Sequence, residues 1–423
     1  MVRLPAATDA APVTSPDRLG RAYWRLWWAG AVDSVGDGAW AAALPLLTAS
    51  LTTDSRLVAA VSAAAYLPWL LVSLPAGALV DRSARVPLMR RAQLAQLVLA
   101  GLVTAAVAAG AASVPVLALG AFLLGGCEVV FGTAAQAVLP ALVPRPLLAR
   151  ANGNQYASTV AGQLFLGPPV GSLLFALSPA LPFAVDTVSF AGSAALLAGL
   201  PRTDRPGASP VPVRSAIVEG LRWLAGHRLL RTLAVLLGVN NFCNQLGQAT
   251  LVLFATRSLG VPPGGYGLLL AAGAVGSVLG GVLNPRIVRR HGERAAVFTA
   301  LGVSSAAYLA AGLAPDAAVL AVLLAANGFA VTLWNVATVT LRQELVPAAL
   351  LGRVTSAYRM LGWGLLPLGA LLGGLVAHSI GLRAPLPLAG ALRALALAAA
   401  APLLVRALAP GRAGIGRDGG PRG

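Results

Sequence analysis

LVPRPLLAR, residues Leu142 to Arg150, returns as LVPAALLGR at Leu345 to Arg353, an offset of 203 residues. The same offset lays GALVD, Gly77 to Asp81, on GGVLN, Gly280 to Asn284. Two matches at one offset identify an internal duplication, and the segments around them say what is duplicated. Apolar runs of about 20 residues, each enough to cross a hydrocarbon core about 30 Å thick, fill most of the chain. Six lie between residues 26 and 200 and six between 229 and 406. The composition agrees: 57% apolar residues, 11% charged residues and a mean hydropathy of +0.78 fall outside the range of soluble domains. The expected fold is an all-α polytopic membrane protein of twelve transmembrane helices in two pseudo-symmetric six-helix halves.

Charge sets the expected orientation. The net charge of +17 comes from 31 basic residues, all arginine. With an even number of spans and both termini cytoplasmic, only Arg56, Arg257 and Arg383 fall outside, and Arg359 and Arg393 fall within spans. The rest sit on the inner side, as the positive-inside rule requires of a multi-pass protein of the plasma membrane. Charge placed this way argues against a nucleic-acid partner. The expected domains are a cytoplasmic tail (1–21), a six-helix half (22–200), a cytoplasmic linker (201–228), a second half (229–406) and a second tail (407–423). The linker contains VRSAIVEGLRWLAGHRLLR, which has the period of an amphipathic surface helix. Cys127 and Cys243 lie in apolar runs and read as buried small hydrophobes. His227, His291 and His378 have no metal-ligand neighbours, so no metal is expected.

Three motifs narrow the reading. The first is GALVDRSARVPLMRR between spans two and three, with Gly77, Asp81, Arg82 and Arg85. Gly77 permits close helix approach, Asp81 can accept charge-assisted bonds, and the arginines suit an anionic inner surface. The second is GQLFLGPPVGSLL in span five, where Gly162, Gly167 and Gly171 allow tight helix contact and Pro168 weakens the helix. The third is WNVATVTLRQELVPAALLGRVTSAYRMLGWG, Trp334 to Gly364, together with GDGAW and EGLRWL. With these, residues 20 to 406 resemble the major facilitator superfamily, two six-helix halves with a substrate site between them near the midplane. The third motif resembles that superfamily's enterobactin-exporter-like and macrolide-efflux-like branch. The resemblance implies that the first motif is a conformational latch, that the span-five glycines are an antiporter-type motif, and that a monomer is the default. The first motif departs from the family's pattern at Ala84, where a glycine is common, and its second copy carries Asn284 and Pro285 in place of Asp-Arg.

The same resemblance makes spans one, four, seven and ten the cavity-lining helices, and these are the spans with polar residues at depth. Asp33 and Asp37 lie about 10 and 16 Å along span one from its cytoplasmic edge, and Glu128 lies midway along span four. Carboxylates at such depth are costly and mark ion or substrate paths. Asp33, Asp37 and Glu128 are therefore the expected proton-coupling or substrate-cation residues, although SVGDGAW also suits Asp37 to a structural helix contact. The expected cavity residues are Trp40, Asn241, Asn244, Gln245, Gln248, Asn327, Thr332, Trp334 and Asn335. Trp40 and Trp334 suit a flat or cationic ligand, and equally suit packing toward lipid. Asp186 reads as a helix-end or packing residue. ALGAFLLGGCEVVF lacks the arginine that many proton antiporters of the superfamily carry in span four.

The expected function is secondary-active export of a small amphipathic molecule (a drug, siderophore or secondary metabolite) by proton-coupled alternating access. The energy source is a proton gradient rather than a cofactor, and the partners are a small molecule and membrane lipid. An importer or lipid transporter on the same fold, and a non-transporting sensor or scaffold, remain the alternatives. No nucleotide-binding glycine loop, nucleophile constellation or metal-ligand cluster is evident, so no enzyme is expected.

Overall fold

The computed structural model describes residues 19–201, 213–347 and 350–407. They form helices joined by short turns, arranged as twelve passages. Eight helices are long and apolar enough to cross a membrane by length and composition. One of these, Pro263–Ala311, bends at Gly292 (φ 76°, ψ 168°) and makes passages eight and nine. That positive φ is strained for any residue with a Cβ, so glycine sets the turn. The other seven helices supply passages three to six and ten to twelve.

Passages one, two and seven fall outside those eight, one and seven for their polar residues and two because its apolar helix is short. Arg21–Leu51 carries the two aspartates of the first span, and Arg228–Gln248 carries the asparagines and glutamines of the seventh. Passage two is interrupted at Val72, four residues after Pro68, and divides into Ser55–Leu71 and Ser73–Arg82. A proline inside a helix removes one backbone bond and crowds the preceding turn, which accounts for a break at that distance. Passage five, Arg150–Leu177, widens to a π-helix over Val160–Leu166, directly before Gly167 and Pro168. The linker helix spans Val213–Gly226.

The apolar core shows how the halves meet. At the end of the bundle nearest Arg21 and Ala407 each half keeps its own core. Tyr23, Met89, Phe131 and Leu197 belong to the first half's cluster, and Leu230, Leu301, Trp334 and Tyr358 to the second half's. At the opposite end one cluster draws on both: Leu46, Val58 and Phe175 pack in the same core as Leu251, Phe254 and Tyr266. Polar contacts follow the same division. Arg257 of the second half donates to the carbonyls of Ala49, Thr52 and Thr53 at 3.1, 3.1 and 3.4 Å. Ser55 Oγ donates to the Gly374 carbonyl at 3.0 Å, and Ser172 Oγ to the Gly264 carbonyl at 3.1 Å. At the Arg21 end, Tyr23 bonds Ala151, Trp27 bonds Asn154 and Arg25 bonds Gly199, all within the first half.

The span-five motif does what its glycines suggest. A Cβ on Gly167 would lie 2.5 Å from the Gly38 Cα, and one on Gly162 would lie 2.8 Å from the Ser34 Cβ. Gly171 faces Ala39 as closely, and all of these contacts press passage five onto passage one. Pro168 is buried, and its carbonyl occupies the place a Cβ on Gly267 would need, so the motif also meets the second half. The first motif differs from expectation at Gly77, where, among the described residues, a Cβ would meet nothing within 4 Å. Arg85 donates to the Ala137 carbonyl of passage four at 2.7 Å, and Arg82 is exposed. The side chains of Asp81 and Arg359 lie outside the described residues.

Candidate functional site

A cavity of about 380 Å³ lies between the halves, beneath the shared core. Its first-half wall is acidic. Asp33 and Asp37 stand four residues apart on one face of passage one, with Trp40 and Leu44 continuing that face. Asp33 is 4% exposed and accepts a hydrogen bond from Gln93 Nε2 at 3.1 Å. Gln96, three residues further along passage three, donates from Nε2 to Glu128 Oε2 at 3.3 Å. One carboxylate oxygen from each of Asp33, Asp37 and Glu128 falls within 4.8 Å of the others. Asp186 of passage six lines the same cavity, its carboxylate beside Ser189 Oγ at 3.4 Å. Of the two readings of Asp186, helix end or packing, the structure supports packing and adds the cavity: Asp186 Oδ1 and Ser189 fill the space a Cβ on Gly36 would need. Among the described residues the cavity wall contains no arginine or histidine.

The second-half wall consists of neutral amides. Asn244, Gln245 and Gln248 of passage seven face the cavity, with Tyr266 from passage eight. Asn244 Oδ1 accepts from the Tyr308 hydroxyl at 2.8 Å. Aromatic rings complete the lining. Trp40 packs edge-on against Phe183, with centroids 4.8 Å apart, and Trp69 meets Trp363 across the halves at 4.5 Å.

Several expected cavity residues lie elsewhere. Trp334 is 1% exposed and sits inside the second half's own core, in the cluster that holds Leu230, Leu301 and Tyr358. Asn327 is buried and accepts from Ser304 Oγ at 2.8 Å and from Arg393 at 3.0 Å. Asn241 donates to the Gly362 carbonyl at 3.0 Å. Thr332 is half-buried beside Gly281, and Asn335 is exposed; neither lines this cavity. Conversely, Gln93 and Gln96 carry no motif, but their three-residue spacing within an otherwise apolar run was the available signal.

Arg393 forms a second polar centre. It is 2% exposed and donates to Ser304 Oγ at 2.5 Å, Asn327 Oδ1 at 3.0 Å and the Asn240 carbonyl at 3.1 Å, with its guanidinium 4.2 Å over the Tyr308 ring. Each partner is neutral. The Tyr308 hydroxyl then links this centre to Asn244 at the cavity wall.

Residues 14–412 match the family described as transmembrane secretion effector, MFS_3. An uncharacterised MFS-type transporter of Mycobacterium tuberculosis is 27% identical over 320 residues, covering 68% of this chain and 70% of its own. Among solved structures, a bacterial homologue of the human lysosomal transporter Spinster, inward-facing and unoccupied, superposes with a TM-score of 0.69 at 16% identity. The match covers 92% of this chain and 97% of that one. The nucleoside transporter NupG superposes with a TM-score of 0.69 at 11% identity, over 90% of this chain and 98% of its own. At such identities the structural likeness is one of fold.

Proposed function

The chain belongs to the MFS_3 family of major facilitator transporters, and on that premise we propose that it is a secondary-active exporter of small amphipathic cations. The observation that carries this reading is the cavity's charge: three lining carboxylates, Asp37, Glu128 and Asp186, face aromatic rings and neutral amides with no cationic side chain among them. Buried negative charge without a partner is costly, so such a wall favours an occupant that brings positive charge. Aromatic faces around it suit a cationic or flat apolar body. A polyanionic ligand would meet repulsion there, so within the enterobactin-like and macrolide-like branch the second kind of cargo fits better.

With both termini placed inside by the arginine distribution, the shared core and the Arg257 clamp lie on the outer side. On this reading the described state is inward-facing. Substrate enters from the cytoplasm, the two halves rock about the cavity, and protons returning through the acidic cluster supply the energy. Energised export is tested by dye and antibiotic accumulation in an efflux-deficient bacterial host, with and without a protonophore. Wild-type protein lowers accumulation of lipophilic cations at least several-fold. Asp33→Asn, Glu128→Gln and the protonophore each restore it to the empty-host level. Unaltered accumulation of every cation in the panel would overturn the reading.

A further inference from the structure

We propose that Asp33, Asp37 and Glu128, together with the side-chain carbonyl of Gln93, form a binding site for a hard divalent cation of calcium type. Three features support it. First, the three carboxylates converge from passages one and four, with oxygens within 4.8 Å of one another. Oxygens opposite each other around Ca²⁺, bound at about 2.3–2.6 Å, are separated by about 4.6–5.2 Å, so the spacing of the three is on the scale of a calcium shell. Second, the buried atoms around the cluster are incompletely satisfied. Gln93 is fully buried, and its Nε2 bonds Asp33 while the carbonyl oxygen of the same amide has no partner. Asp33 Oδ1 is likewise buried and unpartnered, as is Gln96 Oε1 beside Glu128. Acceptors without donors, on a group held against the cluster, are what a bound cation would satisfy. Third, the donors are all oxygen. Hard carboxylate and amide oxygens select Ca²⁺, Mg²⁺ or Mn²⁺ over zinc or copper, and a set of three carboxylates suits Ca²⁺ better than Mg²⁺, which keeps its waters and takes one or two.

The sequence reading expected no metal because it sought histidine and cysteine. The ligands here are acids and an amide brought together by three separate passages. The site sits at the edge of the cavity: Asp37 and Glu128 face both the cation and the open volume, so ion and organic cation would compete for them. The proposal is independent of transport direction, and its test involves no transport.

The purified full-length chain in detergent is titrated with Tb³⁺, a hard stand-in for Ca²⁺, reading emission sensitised by tryptophan; Trp40 lines the cavity beside Asp37. Emission should saturate at one ion per chain and be displaced by Ca²⁺ at concentrations at least tenfold lower than by Mg²⁺. Asp33→Asn and Glu128→Gln should each weaken binding at least tenfold. Gln93→Leu, which keeps every charge, should also weaken it, by a smaller factor. As a reading that needs no variant, Ca²⁺ should raise the unfolding temperature of the wild-type chain. Emission that Ca²⁺ does not displace, affinity unchanged in all three variants, or an unfolding temperature indifferent to Ca²⁺ would each overturn the site.

Discussion

The two halves began as copies but solve the problem of buried charge in opposite ways. The first half gathers Asp33, Asp37, Glu128 and Asp186 with, among the described residues, no cationic side chain in the cavity wall, and softens them with two glutamines. The second half buries a cation, Arg393, with no acid, and satisfies it with Ser304, Asn327 and the Asn240 backbone. The 203-residue offset makes the divergence specific, since Asp37 corresponds to Asn240 and Asp54 to Arg257. Arg393 makes three hydrogen bonds, leaves its buried Nε without a partner and does not line the cavity. The acids retain empty acceptors and open onto it. The second half therefore reads as the rigid partner, and the first half as the one that exchanges ligands.

Removing Arg393 should break this contrast most strongly. Arg393→Met would take a donor from Ser304 Oγ, Asn327 Oδ1 and the Asn240 carbonyl in a buried setting and should cost about 1–3 kcal/mol, visible as a fall in unfolding temperature in detergent. The mirror-image change, Asp37→Asn, relieves an uncompensated charge and should raise stability by about 1 kcal/mol. If both substitutions moved stability the same way, the division of labour between the halves would be wrong.

A comparable effect tests the contact between halves. Gly267→Ala pushes a methyl onto the Pro168 carbonyl and should cost about 1–3 kcal/mol as overpacking. Gly77→Ala meets no atom within 4 Å and should be neutral or slightly stabilising, since alanine is the better helix former. Paired melting curves of the two variants separate a packed glycine from a free one.

The smallest effect lies in the loop at the closed end. Asp54 is held by Arg56, whose side-chain and backbone hydrogen bonds bring its carboxyl down to about 2. A lowered acid keeps its partner above its ordinary range near 3.9 and loses it only as pH falls through the lowered value. The pair's contribution should therefore be complete and constant between pH 8 and 4.5 and be lost only as pH falls toward 2; because the pair is exposed, Asp54→Asn should lower the unfolding temperature in that range by no more than about 1 °C.

Much of the fold was legible in the sequence because membrane passages announce themselves by length and apolarity, and a duplication announces itself by offset. Even the passages that fail a strict apolar criterion were findable, because their polar residues are the cavity's own. The acids of passages one and four stood out for the cost of placing them at depth. What escaped the sequence was rotation. Nothing local says that Trp334 turns into the second half's core, that Asp186 turns toward the cavity, or that Gln93 reaches Asp33 across 60 positions. Those facts belong to the packing of one helix on another, which the spacing within either helix does not contain. Gly77 teaches a related point: a glycine that permits close approach does not compel it.

The core shared by both halves at the Arg257 end has a consequence for speed. In the rocking proposed above, opening that end means prying Leu46, Val58 and Phe175 away from Leu251, Phe254 and Tyr266, which uncovers apolar surface in one step of the proposed cycle. Exposing apolar surface to water raises heat capacity, so the rate of that step should follow a curved rather than a straight Arrhenius plot. Its free-energy barrier would then vary with temperature in the manner of a small unfolding event, confined to one face of an otherwise intact bundle.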